Sequence, residues 1–213
     1  MMQVPFITVE GPIGVGKTSL SKAISNHFQF ELLKEIVSEN PFLDKFYTNI
    51  EEWSFQTEMF FLCNRYKQLE DIERDFLQNS VPVIADYHIL KNLIFASRTL
   101  KENQYKKYLS IYNILTEDMP KPNVIIYLTA SLETLQKRIA LRGREFEKHI
   151  EDQYLLQLIE DYEQHINEFQ ESHPEIPILR FNGDKIDFVN NPSDLIMILD
   201  ALENTLQKEL KNI

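Results

Sequence analysis

At 213 residues, 43% hydrophobic and 26% charged, the chain has apolar material for one sizeable core and reads as a single domain over residues 1–213. A formal net charge of -11 disfavours a nucleic-acid partner, and no apolar run approaches the roughly 18 residues of a membrane span. The first residues lack a basic region followed by an apolar block, and Cys63 is the only cysteine, so no intrachain disulfide can form; the expectation is a cytoplasmic protein.

The apolar run Pro5 to Glu10 predicts a buried strand, and a helix-like segment begins near Lys17. Phe30 to Lys34 predicts a second, weaker strand. From Glu51 to Gln78, Phe55, Met59, Leu62, Tyr66 and Leu69 recur at helical spacing, which predicts one long helix. Val81 to Ala85 is the third strand, followed by helices over Leu93 to Leu100 and Tyr105 to Met119. Asn123 to Leu128 is the fourth strand, with helices over Leu132 to Arg142 and His149 to Glu171. Ile176 to Phe181 is the fifth, and Asn191-Pro192 supplies a cap and first-turn proline for a last helix to Leu210. Strands alternating with helices predict an α/β fold of the P-loop NTPase type, a five-stranded parallel sheet flanked by helices in three layers.

Between the first strand and helix, Gly11-Pro12-Ile13-Gly14-Val15-Gly16-Lys17-Thr18 matches G-x-x-x-x-G-K-[ST] in the strand-loop-helix setting the motif requires. Glycines let the backbone curl so that amide N–H groups point at phosphate oxygens, and the helix N-terminus adds a favourable dipole. Lys17 is expected to reach the β- and γ-phosphates of ATP, and the Thr18 hydroxyl to bind Mg²⁺. Three of the five glycines are in this loop. A phosphate loop alone does not separate a kinase from a GTPase or a mechanical ATPase.

Other residues narrow the choice. Glu35 after the second strand, Glu39-Asn40-Pro41-Phe42, Tyr47, Trp53-Ser54-Phe55, Asp86 and the segment Arg138 to Glu147 together resemble the deoxynucleoside kinase family over essentially the whole chain. Within it, the stretches from Trp53 to Cys63 and from Asp86 to Asn92 look most like the bacterial deoxyguanosine kinases. The resemblance implies transfer of the ATP γ-phosphoryl to a deoxynucleoside 5′-hydroxyl, with Glu35 as general base and Asp86 helping to hold Mg²⁺ directly or through water. By residue type and place alone, Glu35 at a strand's C-terminal end already favours a ligand-side carboxylate over a solvated loop glutamate, while Asp86 is equally a helix cap or a functional acid. The family usually continues that acid with Arg-Ser, whereas this chain has Tyr87-His88; Lys17 and the arginines beyond can suffice, or Lys91 or His88 can compensate. Arg138, Arg142 and Arg144 match a lid over about 138–150 that gathers guanidinium groups around the transferring phosphoryl. Glu147 and Tyr47 match contacts to the deoxyribose 3′-hydroxyl, and the segment Asn182 to Phe188, with Asp187 and Phe188, matches the contact with the adenine of ATP. Family members pair through long helices, so a homodimer is the expectation.

The helix after Trp53 is where the family reads the nucleobase, and Glu58 stands where relatives more often carry Gln. Guanine offers N1–H and N2–H₂ as adjacent donors, which a carboxylate can accept as a pair, while Arg65 can donate to O6 and N7. Adenine offers N1 as an acceptor, which a carboxylate cannot satisfy. Asn92, where many relatives have Asp, completes this network less strongly; Phe55, Phe60 and Phe61 are helix-core residues by default, of which one or two can stack on the base, Phe55 being the candidate taken for the site. Deoxyguanosine is therefore the expected substrate, with deoxyadenosine or broad specificity as the alternative. A nucleotide-switched regulatory protein is disfavoured, since the chain has no Asn-Lys-x-Asp motif, and a monophosphate kinase would need more cations at the acceptor.

Overall fold

The computed structural model describes residues 4–36, 39–145, 147 and 150–209. Strand β1 (Phe6–Glu10) is buried along its whole length, as are β3 (Val83–Ala85) and nearly all of β4 (Val124–Thr129), which is why their sequences are continuous apolar runs without alternation. The edge strands β2 (Glu31–Leu33) and β5 (Ile178–Asn182) are only partly covered. All five pair in parallel in the order β2-β3-β1-β4-β5, with Ile7 beside both Ile84 and Val124.

Helix α1 (Lys17–Phe28) covers one sheet face together with α6 (Leu132–Arg142) and α8 (Pro192–Glu209), through Leu20, Ile24, Leu135, Ile198 and Leu202. On the opposite face lie α3 (Ile50–Asp71), α4 (Lys91–Thr99), α5 (Glu102–Thr116) and α7 (Asp152–Ser172), packed through Leu62, Ala96, Tyr108 and Tyr162. The three layers are those expected. Ile126 is fully buried between Val9 and Leu179 on its neighbouring strands. Ile126→Ala is expected to destabilise the fold by about 2–5 kcal/mol in denaturant unfolding, because a close-packed sheet cannot collapse around the lost volume.

Several boundaries differ from expectation, among them α5, which runs three residues earlier at each end than the predicted Tyr105 to Met119. A six-residue helix α2 (Leu43–Thr48) precedes α3 and buries Phe46; Asn49 joins the two and accepts from the Glu52 N–H at 3.3 Å, capping α3. The long helix predicted to Gln78 is α-helical only to Asp71 and continues as a wider π turn over Ile72–Phe76 and a tight turn over Leu77–Asn79. The wider turn sets Ile72 in the core, and the Asn79 amide then takes the carbonyls of Arg74 and Asp75, ending the helix. Helix α7 begins at Asp152, the predicted start at His149 lying outside the described residues, as does the predicted end of the last helix at Leu210. That helix starts as expected, with Asn191 Oδ1 accepting from Ser193 N–H at 3.1 Å and Pro192 in its first turn.

Candidate active site

The C-terminal ends of all five strands open on one side of the sheet, where α/β folds place their ligands. A cleft of about 870 Å³ lies there. Its floor is the loop after β1, where Gly11, Gly14 and Gly16 have φ of 145°, 83° and 110°. Any side chain at Gly11 would collide with the Leu128 carbonyl of β4, so only glycine lets the loop leave the sheet this way. Lys17 folds back over the loop, its Nζ donating to the carbonyls of Gly11 at 2.6 Å and Pro12 at 3.0 Å. Burial, and then the like charge of Lys91, pull its ammonium down to about 7, against Glu10, Glu35 and Asp86.

Asp86, at the end of β3, ties this floor to the acceptor side. Its Oδ2 accepts from the Thr18 hydroxyl at 2.5 Å and its Oδ1 from the Glu35 N–H at 2.6 Å. Glu35 stands just beyond β2 between two cations: Lys91 Nζ is 2.7 Å from Oε2, and the Arg65 guanidinium pairs with Oε1. Burial alone would raise this carboxyl, but Lys91 and Arg65 outweigh it and hold Glu35 well below the usual range, ionised at any working pH. Arg65 also donates to Asn92 Oδ1 at 2.7 Å, and Asn92 in turn donates to the Tyr108 hydroxyl at 2.8 Å.

Further along α3, Glu58 is buried, with Oε1 3.3 Å from the Thr99 hydroxyl and Oε2 without a hydrogen-bond partner among the described residues. Burial pushes its carboxyl up to about 7 in spite of Arg65. Glu58 and Arg65 are therefore buried groups of the cleft wall. Glu147, also lining the cleft, accepts from Arg142 at 2.6 and 3.0 Å and from Arg144 at 3.5 Å. Tyr47 also lines the cleft, its phenol pushed up by burial and by Glu147.

The family model described as deoxynucleoside kinase matches residues 7–207. The chain belongs to the deoxynucleoside kinase family. It is 60% identical to a protein of Bacillus subtilis (strain 168) named deoxyguanosine kinase, over 91% of this chain and 94% of that one. It is 30% identical to a protein of Lactobacillus acidophilus named deoxyadenosine kinase, over the full length of both. A solved structure described as deoxyadenosine kinase from M. mycoides with products dCMP and a flexible dCDP superposes with a TM-score of 0.79 at 26% identity, covering 93% of this chain and 99% of the other.

Of the residues that the sequence marks for a deoxynucleoside kinase site, all but five line the cleft. Gly11, Pro12 and Val15 belong to the phosphate loop without lining the cleft, Val15 being part of the core. Asn92 is behind Arg65. Phe55 needs correcting: it packs against the cluster formed by Phe6, Leu62 and Tyr108, and Phe61, under the Arg65 guanidinium at 4.8 Å, faces the cleft in its place. Arg138 lines the cleft with its guanidinium donating to the carbonyls of Val15 at 2.7 Å and Gly183 at 2.9 Å, which joins the phosphate loop to the turn after β5. In that turn Phe188 lies against Gly16, while Asp187 is exposed and accepts from Asn190. Of the lid segment about 138–150, residues 146, 148 and 149 lie outside the described residues.

The place of the family's usual arginine is the residue least legible beforehand. Tyr87 is buried behind Arg65, with its hydroxyl donating to Gln68 at 2.8 Å. Burial drives the His88 imidazole down to about 3, so it carries no charge, and its ring packs edge-on against Phe169. Lys91 alone of the two candidates brings a cation to Glu35.

Proposed function

We propose that this kinase transfers the γ-phosphoryl of ATP to the 5′-hydroxyl of deoxyguanosine, giving ADP and dGMP. One observation carries the choice of base: Glu58, a buried carboxyl on the wall of the same cleft that holds the phosphate loop and Glu35, has one oxygen without a hydrogen-bond partner among the described residues. Guanine's N1–H and N2–H₂ are donors suited to that group, and the 60% identical relative bears the name deoxyguanosine kinase. Glu35, ionised, accepts the hydroxyl's hydrogen bond and takes its proton late, while O5′ bonds to the γ-phosphorus and the bond to the β-phosphate oxygen breaks. Lys91 holds Glu35 and adds positive charge beside the transferring group. Lys17, Arg142 and Arg144 answer the phosphoryl charge, Arg138 braces the donor side, and Tyr47 and Glu147 take the sugar's 3′-hydroxyl.

The Thr18 hydroxyl and Asp86 carboxylate, 2.5 Å apart, are hard oxygen donors that fit Mg²⁺. Among the described residues no cluster of three or more His, Cys, Asp or Glu could hold a metal unaided, so phosphate oxygens and water must complete its shell. Bound there, Mg²⁺ would neutralise phosphate charge. Among the described residues no helix is long and apolar enough to cross a membrane. The full reading is one catalytic unit over residues 1–213, cytoplasmic and a homodimer in solution, without a nucleic-acid partner.

A panel of four deoxynucleosides, each supplied with ATP and Mg²⁺, tests the function. Deoxyguanosine is expected to give the highest kcat/KM near neutral pH; a pyrimidine as best substrate, or ATP consumption without any nucleoside, overturns the reading.

A further inference from the structure

The two oxygens of Glu58 are unequally engaged. Oε1 meets the Thr99 hydroxyl at 3.3 Å, and that hydroxyl lies 2.9 Å from the Phe95 carbonyl as well. Its single proton can go to either acceptor, so Thr99 serves an ionised carboxylate by donating to it and a neutral carboxyl by donating to Phe95. Oε2 has no partner among the described residues.

The charged groups around Glu58 are engaged elsewhere. Arg65, on the same helix, directs its two terminal nitrogens to Asn92 and Glu35. Lys91 on α4 pairs with Glu35, and Glu35 itself opposes ionisation of Glu58. Tyr47 on α2, Tyr108 on α5 and Tyr154 on α7 also feel Glu58; burial pushes all three phenols up, so they stay neutral. Among the described residues no cation is dedicated to Glu58, and burial, the largest influence on it, sets its ionisation near neutrality.

A carboxyl near neutrality is two recognition elements. Ionised, it only accepts, which suits guanine's N1–H and N2–H₂. Protonated, it sets an O–H donor beside a C=O acceptor, the complement of adenine's N1 acceptor and N6–H₂ donor. We propose that Glu58 reads both purines through its protonation state, so that deoxyadenosine is a second substrate, taken by the protonated form. This rests on the reading that Glu58 faces the base of a purine deoxynucleoside.

The test is a competition. Equal deoxyguanosine and deoxyadenosine share one reaction with ATP and Mg²⁺, and the initial ratio of dAMP to dGMP is measured from about pH 6 to about pH 8.5. Ionisations that affect both reactions alike, those of Lys17, Glu35 and ATP among them, cancel in the ratio. The remaining dependence is the ratio of protonated to ionised Glu58, which falls about tenfold per pH unit. The dAMP share is expected to fall with that slope, and Glu58→Gln to give a ratio that favours dAMP and does not change with pH. A flat ratio in the parent enzyme with dGMP formed overturns the protonation reading and leaves the deoxyguanosine activity standing. Absence of both products overturns both.

Discussion

Glu35→Gln is expected to lower kcat by a factor of about 10²–10⁴, the usual contribution of a positioned proton acceptor, with a much smaller change in KM for deoxyguanosine. The amide keeps the shape of the carboxyl and can still meet the 5′-hydroxyl, but it cannot take its proton. Glu35 also compensates Lys91 and Arg65, both more than nine-tenths buried. Removing one member of a buried ion group costs about 3–5 kcal/mol, so the variant must be assayed well below its lowered unfolding temperature, located beforehand by thermal scan. Folded variant with kcat within tenfold of the parent would remove Glu35 from the proton-accepting role. The pH dependence carries a sign as well. Because the Glu35 carboxyl is depressed, the stability its ion pairs contribute is fully present above the ordinary carboxylate range and is lost progressively as pH falls from that range through its lowered value. Glu58 has the opposite sign: its raised value of about 7 means that the unfolded chain releases this proton first, so its contribution weakens stability as pH rises from the ordinary carboxylate range to about 7.

What the sequence could disclose was decided by how local each signal is. The strands were legible because β1, β3 and β4 are buried on both faces and so read as unbroken apolar runs. The phosphate loop was legible because its glycines, lysine and threonine act within eight consecutive residues. Helix α2, at six residues, is too short to show a period, and its burial of Phe46 depends on α3. Phe55 and Phe61 lie three residues to either side of Glu58, about 60° to its left and right at roughly 100° per residue. Nothing local chooses between them; the packing of α3 against α4 and α5 does, turning Phe55 inward and Phe61 to the cleft. In the same way, no local spacing shows how deeply Glu58 and Arg65 are buried, which follows from α4, bearing Lys91, Asn92 and Thr99, covering that face of α3.

Lys91 shows the same limit, since only the fold brings a residue from the start of α4 to within 2.7 Å of one beyond β2. Lys91→Met is expected to lower kcat by about 10²–10³, the scale seen when one preorganised partner of developing charge is removed, with KM for the nucleoside changing less. The pH profile separates this from simple misfolding. Lys91 is the largest favourable influence on ionised Glu35 and the first like charge depressing Lys17. Its loss therefore moves both groups upward: activity declines on the acid side at a higher pH than in the parent, and KM for ATP holds to a more alkaline pH because Lys17 stays charged longer. Lys91→Arg restores the charge but as a longer, planar group, and is expected to recover the pH profile more fully than the rate. If Lys91→Met were to keep the parent's kcat and both limbs of its pH profile, Arg65 alone would suffice to hold Glu35, and no cation would be needed to stand in for the arginine that Tyr87 replaces.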